Sequence, residues 1–227
     1  MLNADTAIGR MARLAAGRPS CAVVGNGPFA SNLSEQIDAA FVVRCNSFAL
    51  GFLGIGNRVD LNLSSLYHEV VPDRRVAWPI LGAFPTTPSL FENYTTLRDM
   101  HVDWLSSRKR LTALGNQVWT YSEEDPLATV FADACISLGA LPTVGFMGIL
   151  LARLLRFRTI ILTGFTFFVT SRAHYFAEDK VAFPPAYHHR PDRERVVVRQ
   201  WVETDRTRIY MLDTLMASIL EAPECRP

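Results

Sequence analysis

An open α/β fold on a mostly parallel sheet is predicted by three observations. Short β-rich runs alternate along the chain with stretches of helical periodicity, the pattern of βαβ units. The first of those runs, Cys21 to Gly25, is apolar almost throughout and ends in glycine, as a strand buried on both faces does. No internal repeat, low-complexity tract or Gly/Ser linker divides the 227 residues, so the pattern reads as one domain over 1–227.

In chain order, residues 1–17 place Arg10 and Arg13 in a helical pattern. They lack the apolar core of a secretory signal, which predicts a cytoplasmic chain. Strands are expected at Cys21 to Gly25, Phe41 to Asn46, Val59 to Leu63, Val76 to Ile80, Gln117 to Tyr121, Thr159 to Thr163 and Arg208 to Leu212. Helices are expected at Ser89 to Arg108, Leu127 to Leu138, Gly145 to Leu155, Asp192 to Thr204 and Asp213 to Leu220. The stretches near Pro72, from Pro79 to Pro88 and at Pro184–Pro185 read as loops. The longest apolar run, around Leu150 to Leu155, is broken by Arg153 and Arg156 and falls short of the roughly 20 residues that span a bilayer.

Lys and Arg number 23 against 22 Asp and Glu, a formal charge of +1, so no whole-molecule field holds nucleic acid or an anionic membrane. Any anion handling must be local. The four cysteines include no pair at zinc-knuckle or CxxC spacing, so Cys21 and Cys45 read as free buried thiols. No HExxH, DxD or Cys/His spacing is present, and no metal or other cofactor is expected.

In an open α/β sheet ligands bind beyond the carboxyl ends of the strands, which directs attention to the loops after Val24, Cys45 and Leu162. The first loop reads GNGP. Gly25 and Gly27 permit a tight turn whose N–H groups face outward to cradle a phosphate, with Asn26 between them. The second strand ends in Arg44, Cys45 and Asn46, where an NAD-binding fold would carry an acid. Arg44 suits the 2′-phosphate of NADP instead, so an oxidoreductase is a rival reading; against it, Gly27 is followed by Pro28, Phe29 and Ala30 rather than by a third glycine. Thr143 in Pro142-Thr143-Val144-Gly145 stands where a helix N-cap hydroxyl and free N–H groups meet an anion, although ordinary capping needs no ligand. Three of the five histidines lie between His174 and His189. Pro191 then marks a helix start, whose positive end disfavours an imidazolium at His189 and keeps the ring neutral as a base.

Taken together, these segments resemble the sialylmotifs of sialyltransferases. CAVVGNGP, Ile37-Asp38, VVRCN and the GNRVD of Gly56 to Asp60 are similar to the long motif. PTVG, the apolar helix after it and a strand ending in Gly164-Phe165 are similar to the short motif. His174-Tyr175 with Glu178 resembles the third motif, and His189 with Glu194 matches the HxxxxE spacing of the very short one. The motif-bearing region is 21–194. Departures from the pattern are Val144 in place of a second hydroxyl, Leu141 in place of a tyrosine, and Arg156 where secreted members carry a cysteine paired with that of the long motif. The last leaves Cys21 without such a partner, as a reducing compartment would.

The resemblance implies a single Rossmann-like domain with a lid-like segment near 166–190. It implies a metal-independent, inverting glycosyltransferase that moves an acidic sugar from its CMP ester to a glycan or glycolipid hydroxyl. Gly25, Asn26, Gly27, Arg44, Asn46, Thr143, Gly145, Gly164 and Tyr175 would bind the CMP donor; His189, His174 and Glu194 would be catalytic, with His189 the base. Acceptor-binding elements would fall in Leu66 to Asp133, and with a lipid-linked acceptor Arg108, Lys109 and Arg110 would rest on the inner face of the membrane. A CMP-binding accessory protein that has lost catalysis is the alternative.

Overall fold

Residues 6–28, 32–45, 56, 58–65, 81–85, 126–169, 189–205, 209–211 and 214–220 are described in the computed structural model of the chain. Strands β1 (Ser20–Val24), β2 (Phe41–Cys45), β3 (Leu61–Ser65), β4 (Leu81–Pro85), β5 (Thr159–Thr163) and β6 (Ile209–Met211) form one sheet. Its order is β4-β3-β2-β1-β5-β6. Every neighbouring pair is parallel except β3 and β4, where the edge strand β4 runs antiparallel with Leu63 opposite Ala83.

Helices cover both faces, which explains the near-continuous apolar character of the central strands. Cys21, Val23, Val43, Leu63, Ile160 and Leu162 face one core, shared with α1 (Ala7–Leu14), α3 (Pro126–Leu138), α4 (Val144–Leu154), α5 (Pro191–Thr204) and α6 (Thr214–Leu220). The alternate residues Ala22, Val24, Val42 and Ile161 face a smaller core with Ile37 of α2 (Ser34–Ala39). The division follows from handedness. From β1 the chain reaches β2 on one side and β5 then β6 on the other, and right-handed crossovers in opposite directions put their helices on opposite faces. α4 approaches the sheet closely because Gly148 has no side chain: a Cβ there would lie 3.0 Å from Val23 Cγ1.

The α/β class and mostly parallel sheet expected from the sequence are present, and nine of the expected elements recur, Thr159 to Thr163 with the expected bounds and eight with one or both ends shifted by one or two residues. The edge strand is a correction. It occupies Leu81–Pro85, within the stretch from Pro79 to Pro88 that reads as a loop, because its backbone pairs with β3; the strand expected at Val76 to Ile80 lies outside the described residues. α2 went unpredicted because six residues with one buried apolar side chain, Ile37, carry no measurable period. The expected helix at Ser89 to Arg108, the strand at Gln117 to Tyr121 and Arg108 to Arg110 lie outside the described residues. Cys21, Cys45 and Cys135 are free. Burial raises the Cys21 thiol and pushes that of Cys45 up to about 12, so both stay protonated. Among the described residues no helix is long and apolar enough to cross a membrane.

Behind the carboxyl edge, residues spread from 38 to 60 form one polar cluster. Arg44 is fully buried on β2, its Nε donating to the Arg58 carbonyl (3.1 Å) and its Nη2 to that of Gly56 (3.1 Å). Asp38 accepts from the Arg58 amide (2.8 Å), and Asp60 accepts from the Val42 amide (2.8 Å) while its two oxygens accept from Nε and Nη2 of Arg58. The spacing of Asp38, Arg44, Gly56, Arg58 and Asp60 is therefore that of a hydrogen-bonded brace between α2, β2 and the approach to β3. Arg44→Met keeps the unbranched stem but leaves two carbonyls without their donor, so urea denaturation should show a loss of about 1–3 kcal/mol. An unchanged midpoint would show that the guanidinium does not hold the brace.

Candidate functional site

At the carboxyl edge the strand order reverses between β1 and β5, and there two loops cross backbone to backbone. The Gly25 amide donates to the Thr163 carbonyl (2.9 Å) and that of Gly27 to Gly164 (2.8 Å). Gly164 has φ +71°, a left-handed conformation that favours glycine, and a Cβ on Gly25 would collide with the Gly164 carbonyl. The outward-facing Gly25 and Gly27 N–H groups expected from the sequence are thus corrected: the ladder between β1 and β5 runs on past Val24 and takes both. Asn26 turns its Nδ2 to the Cys45 carbonyl (2.8 Å), tying the ends of β1 and β2.

Beyond Gly164 the chain makes a tight turn, the Val169 amide donating to the Thr166 carbonyl (2.9 Å). Its two central residues, Phe167 (φ 46°) and Phe168 (φ 57°), are left-handed without being glycine, a strain on the order of 1–3 kcal/mol each. Burial of the Phe165 and Phe167 rings, 6.3 Å apart, works against that strain. Gly145 leaves room for Phe165: a Cβ at 145 would stand 2.7 Å from its Cε1.

The start of α5 is clasped to the connection between α3 and α4 at three points. Arg193 Nη1 donates to the Leu138 carbonyl at the end of α3 (2.7 Å). His189 Nδ1 lies 2.8 Å from the Leu141 carbonyl. Glu194 Oε1 accepts from the Thr143 amide (2.6 Å) and its Oε2 from the Thr143 hydroxyl (2.7 Å). Thr143 is also the N-cap of α4, its Oγ1 accepting from the Phe146 amide (3.2 Å). In a capping box the third helical residue returns a carboxylate to the N-cap amide. Here that residue is Phe146, and Glu194 supplies the carboxylate from another helix.

The anion anticipated at the N-terminus of α4 is thus part of the protein, and the Thr143 hydroxyl and amide, assigned above to the donor phosphate, are engaged by it. Glu194 is 1% exposed. Burial pushes its carboxyl up to about 7, against the two Thr143 hydrogen bonds, with a small further push from Asp192. For His189 the geometry sets the tautomer: a carbonyl only accepts, so Nδ1 carries the proton and the neutral ring has its lone pair on Nε2. Pro191 opens α5 as expected, and the Asp192 carboxyl beside the Arg190 guanidinium is held down to about 2.

The structure therefore gathers Gly25, Asn26, Gly27 and Gly164 at the crossing, and Thr143, His189 and Glu194 in the clasp, with Gly145 linking the two through Phe165. Arg44 stands apart. Fully buried in the brace, it holds the loop at 56–58 and presents no charge to a ligand. Asn46, His174 and Tyr175 lie outside the described residues, as do 170–188 of the lid-like segment. Sequence reasoning missed Arg193 and the Leu141 carbonyl. Arg193 follows His189 by four residues in an evident helix start, whereas a backbone carbonyl leaves no trace in residue identity. A cavity of about 470 Å³ lies elsewhere, between α3, α4 and α5, with Phe146, Leu150 and Trp201 among its lining. No known protein family, curated protein or solved structure matches the chain.

The Glu194 carboxyl predicts a pH dependence of stability. Its folded value near 7 exceeds the ordinary 4.5, so between those limits the folded chain keeps a proton that the unfolded chain releases. The stability due to this group is full below about 4.5, falls as pH rises to about 7, and is constant above, a total of about 3 kcal/mol. Glu194→Gln stays neutral throughout. Its melting temperature relative to the native chain should rise between pH 5 and pH 8; parallel melting curves would refute the assignment.

Proposed function

We propose that the chain is a sialyltransferase-like glycosyltransferase of Rossmann-like organisation. In this reading it transfers an acidic sugar such as sialic acid or Kdo from its CMP ester to a glycan or glycolipid hydroxyl in the cytoplasm. The observation that carries the proposal is His189 at the carboxyl edge, its Nδ1–H fixed on the Leu141 carbonyl and its Nε2 lone pair suited to take a proton. The order β3-β2-β1-β5-β6, reversing at β1, supports it, because nucleotide ligands bind at such a reversal.

In the reaction, His189 Nε2 removes the proton of the acceptor hydroxyl as its oxygen bonds to the anomeric carbon. The bond from that carbon to the CMP phosphate breaks, CMP leaves with the electron pair, and the anomeric configuration inverts. Glu194 becomes a positioning residue: through Thr143 it fixes the turn whose Leu141 carbonyl orients His189. With the amides of Gly25, Gly27 and Thr143 engaged inside the protein, charge growing on the phosphate falls to Asn46, His174 and Tyr175. No metal is required. A second reading, a CMP-binding protein without turnover, is favoured by the Thr143 hydroxyl being held by Glu194.

Calorimetry with CMP and turnover of CMP-sugars test both readings. CMP should bind, and Asn46→Ala should weaken it by about 1–3 kcal/mol. His189→Ala should keep CMP affinity and lose about 10²- to 10⁴-fold in turnover, while His188→Ala costs much less. Binding of CMP without turnover would select the second reading; preference for NADPH over CMP would sink both.

A further inference from the structure

The edge of the sheet opposite the candidate site carries a different chemistry. Arg10 and Arg13 lie on α1, Arg18 in the turn leading into β1, and Arg156 and Arg158 in the turn leading into β5; all five are exposed. The two turns are stitched together, the Pro19 carbonyl accepting from the amides of Arg158 (2.9 Å) and Thr159 (3.2 Å), which sets Arg18 beside Arg158. Among the described residues none of the five makes an ion pair, whereas Arg58, Arg153, Arg190 and Arg199 each have a carboxylate. The sequence supplies no acid between Asp5 and Glu35 or between Asp133 and Glu178. In a chain of net charge +1, the described residues thus place at one edge five exposed arginines that have no carboxylate partner among them.

We infer that this amino edge is a docking surface for a bilayer of anionic phospholipids. Charge complementarity and the form of α1 favour that partner. α1 buries Ile8 and Met11 against the core and shows water Arg10, Arg13 and, 36% exposed, Leu14, the mixture that settles into a headgroup layer. A nucleic-acid single strand would want exposed aromatic rings for its bases, and the one aromatic in these turns, Phe157, is 4% exposed and stacked on Phe41 at 5.6 Å. Docked so, the carboxyl ends of the strands point away from the lipid, across a strand length of about 17 Å. The candidate site then faces the aqueous side, and an acceptor reaches it from solution or on a long tether. The inference does not rest on the CMP assignment.

Co-sedimentation of the full chain with vesicles tests it. Vesicles of phosphatidylcholine with phosphatidylglycerol should bind the chain, pure phosphatidylcholine should not, and raised salt should release it. Each arginine near an anionic surface contributes roughly fivefold in affinity, so Arg18→Gln/Arg158→Gln should bind about 25-fold more weakly. The equally charged Arg190→Gln/Arg199→Gln, on α5, should bind like the native chain, and melting temperatures would show that both variants are folded. Failure to bind anionic vesicles, equal loss in the two variants, or binding to neutral vesicles would overturn the inference. Tighter binding to a short DNA duplex than to the vesicles at the same salt would overturn it in favour of nucleic acid.

Discussion

Two hydrogen bonds from Thr143 to the buried carboxylate of Glu194 are the constraint on which the candidate site depends. Thr143 begins α4, Glu194 lies in the first turn of α5, and 51 residues separate them. While the pair is formed, the turn at Leu141 is fixed, and with it the carbonyl that holds His189. Arg193 anchors the same helix start to the end of α3, so the imidazole is oriented from both sides of the turn. A carboxylate taken from water carries a desolvation cost, and its raised proton affinity is the sign that the two hydrogen bonds offset that cost only in part.

The same economy governs the crossing of the loops after β1 and β5. A glycine-rich turn offers amides to a ligand only if the protein does not need them. Here β5 lies directly beside β1, and its extension beyond Thr163 takes the amides of Gly25 and Gly27. What the crossing provides instead is close approach. Three residues without side chains let two backbones meet, and the strained turn at Phe167 and Phe168 follows at once, anchored by buried rings. The crossing is accordingly a close-packed scaffold, and the polar side chain held nearest to the start of α5, His189, is set by the Leu141 carbonyl.

The two edges of the sheet also divide the electrostatics. At the carboxyl edge Glu194 is committed to Thr143, and at the approaches to β2 and β3 Asp38, Arg58 and Asp60 are committed to the brace. At the amino edge five arginines stand without such commitments among the described residues. A whole-chain charge of +1 conceals this separation, because a sum carries no information about position.

Much of the fold was legible in the sequence, because burial on both faces forces continuous apolar strands and the right-handed crossover rule limits how they join. Short runs such as Cys21 to Gly25 and Thr159 to Thr163 announce themselves, as do the helix starts at Thr143 and Pro191, and the spacing from His189 to Glu194 marks both residues as members of one local unit. The use of their polar groups was not legible. Whether Gly25 and Gly27 keep their amides depends on which strand lies next to β1, and whether Arg44 faces a ligand or a buried brace depends on the path of residues 56 to 60. Whether the N-cap at Thr143 meets a ligand or Glu194 depends on how α5 docks against α4. Periodicity and residue type are local properties, so the chain displays them by itself; a hydrogen-bond partner 51 residues away exists only once the sheet has brought the two segments together, and tertiary structure alone decides it.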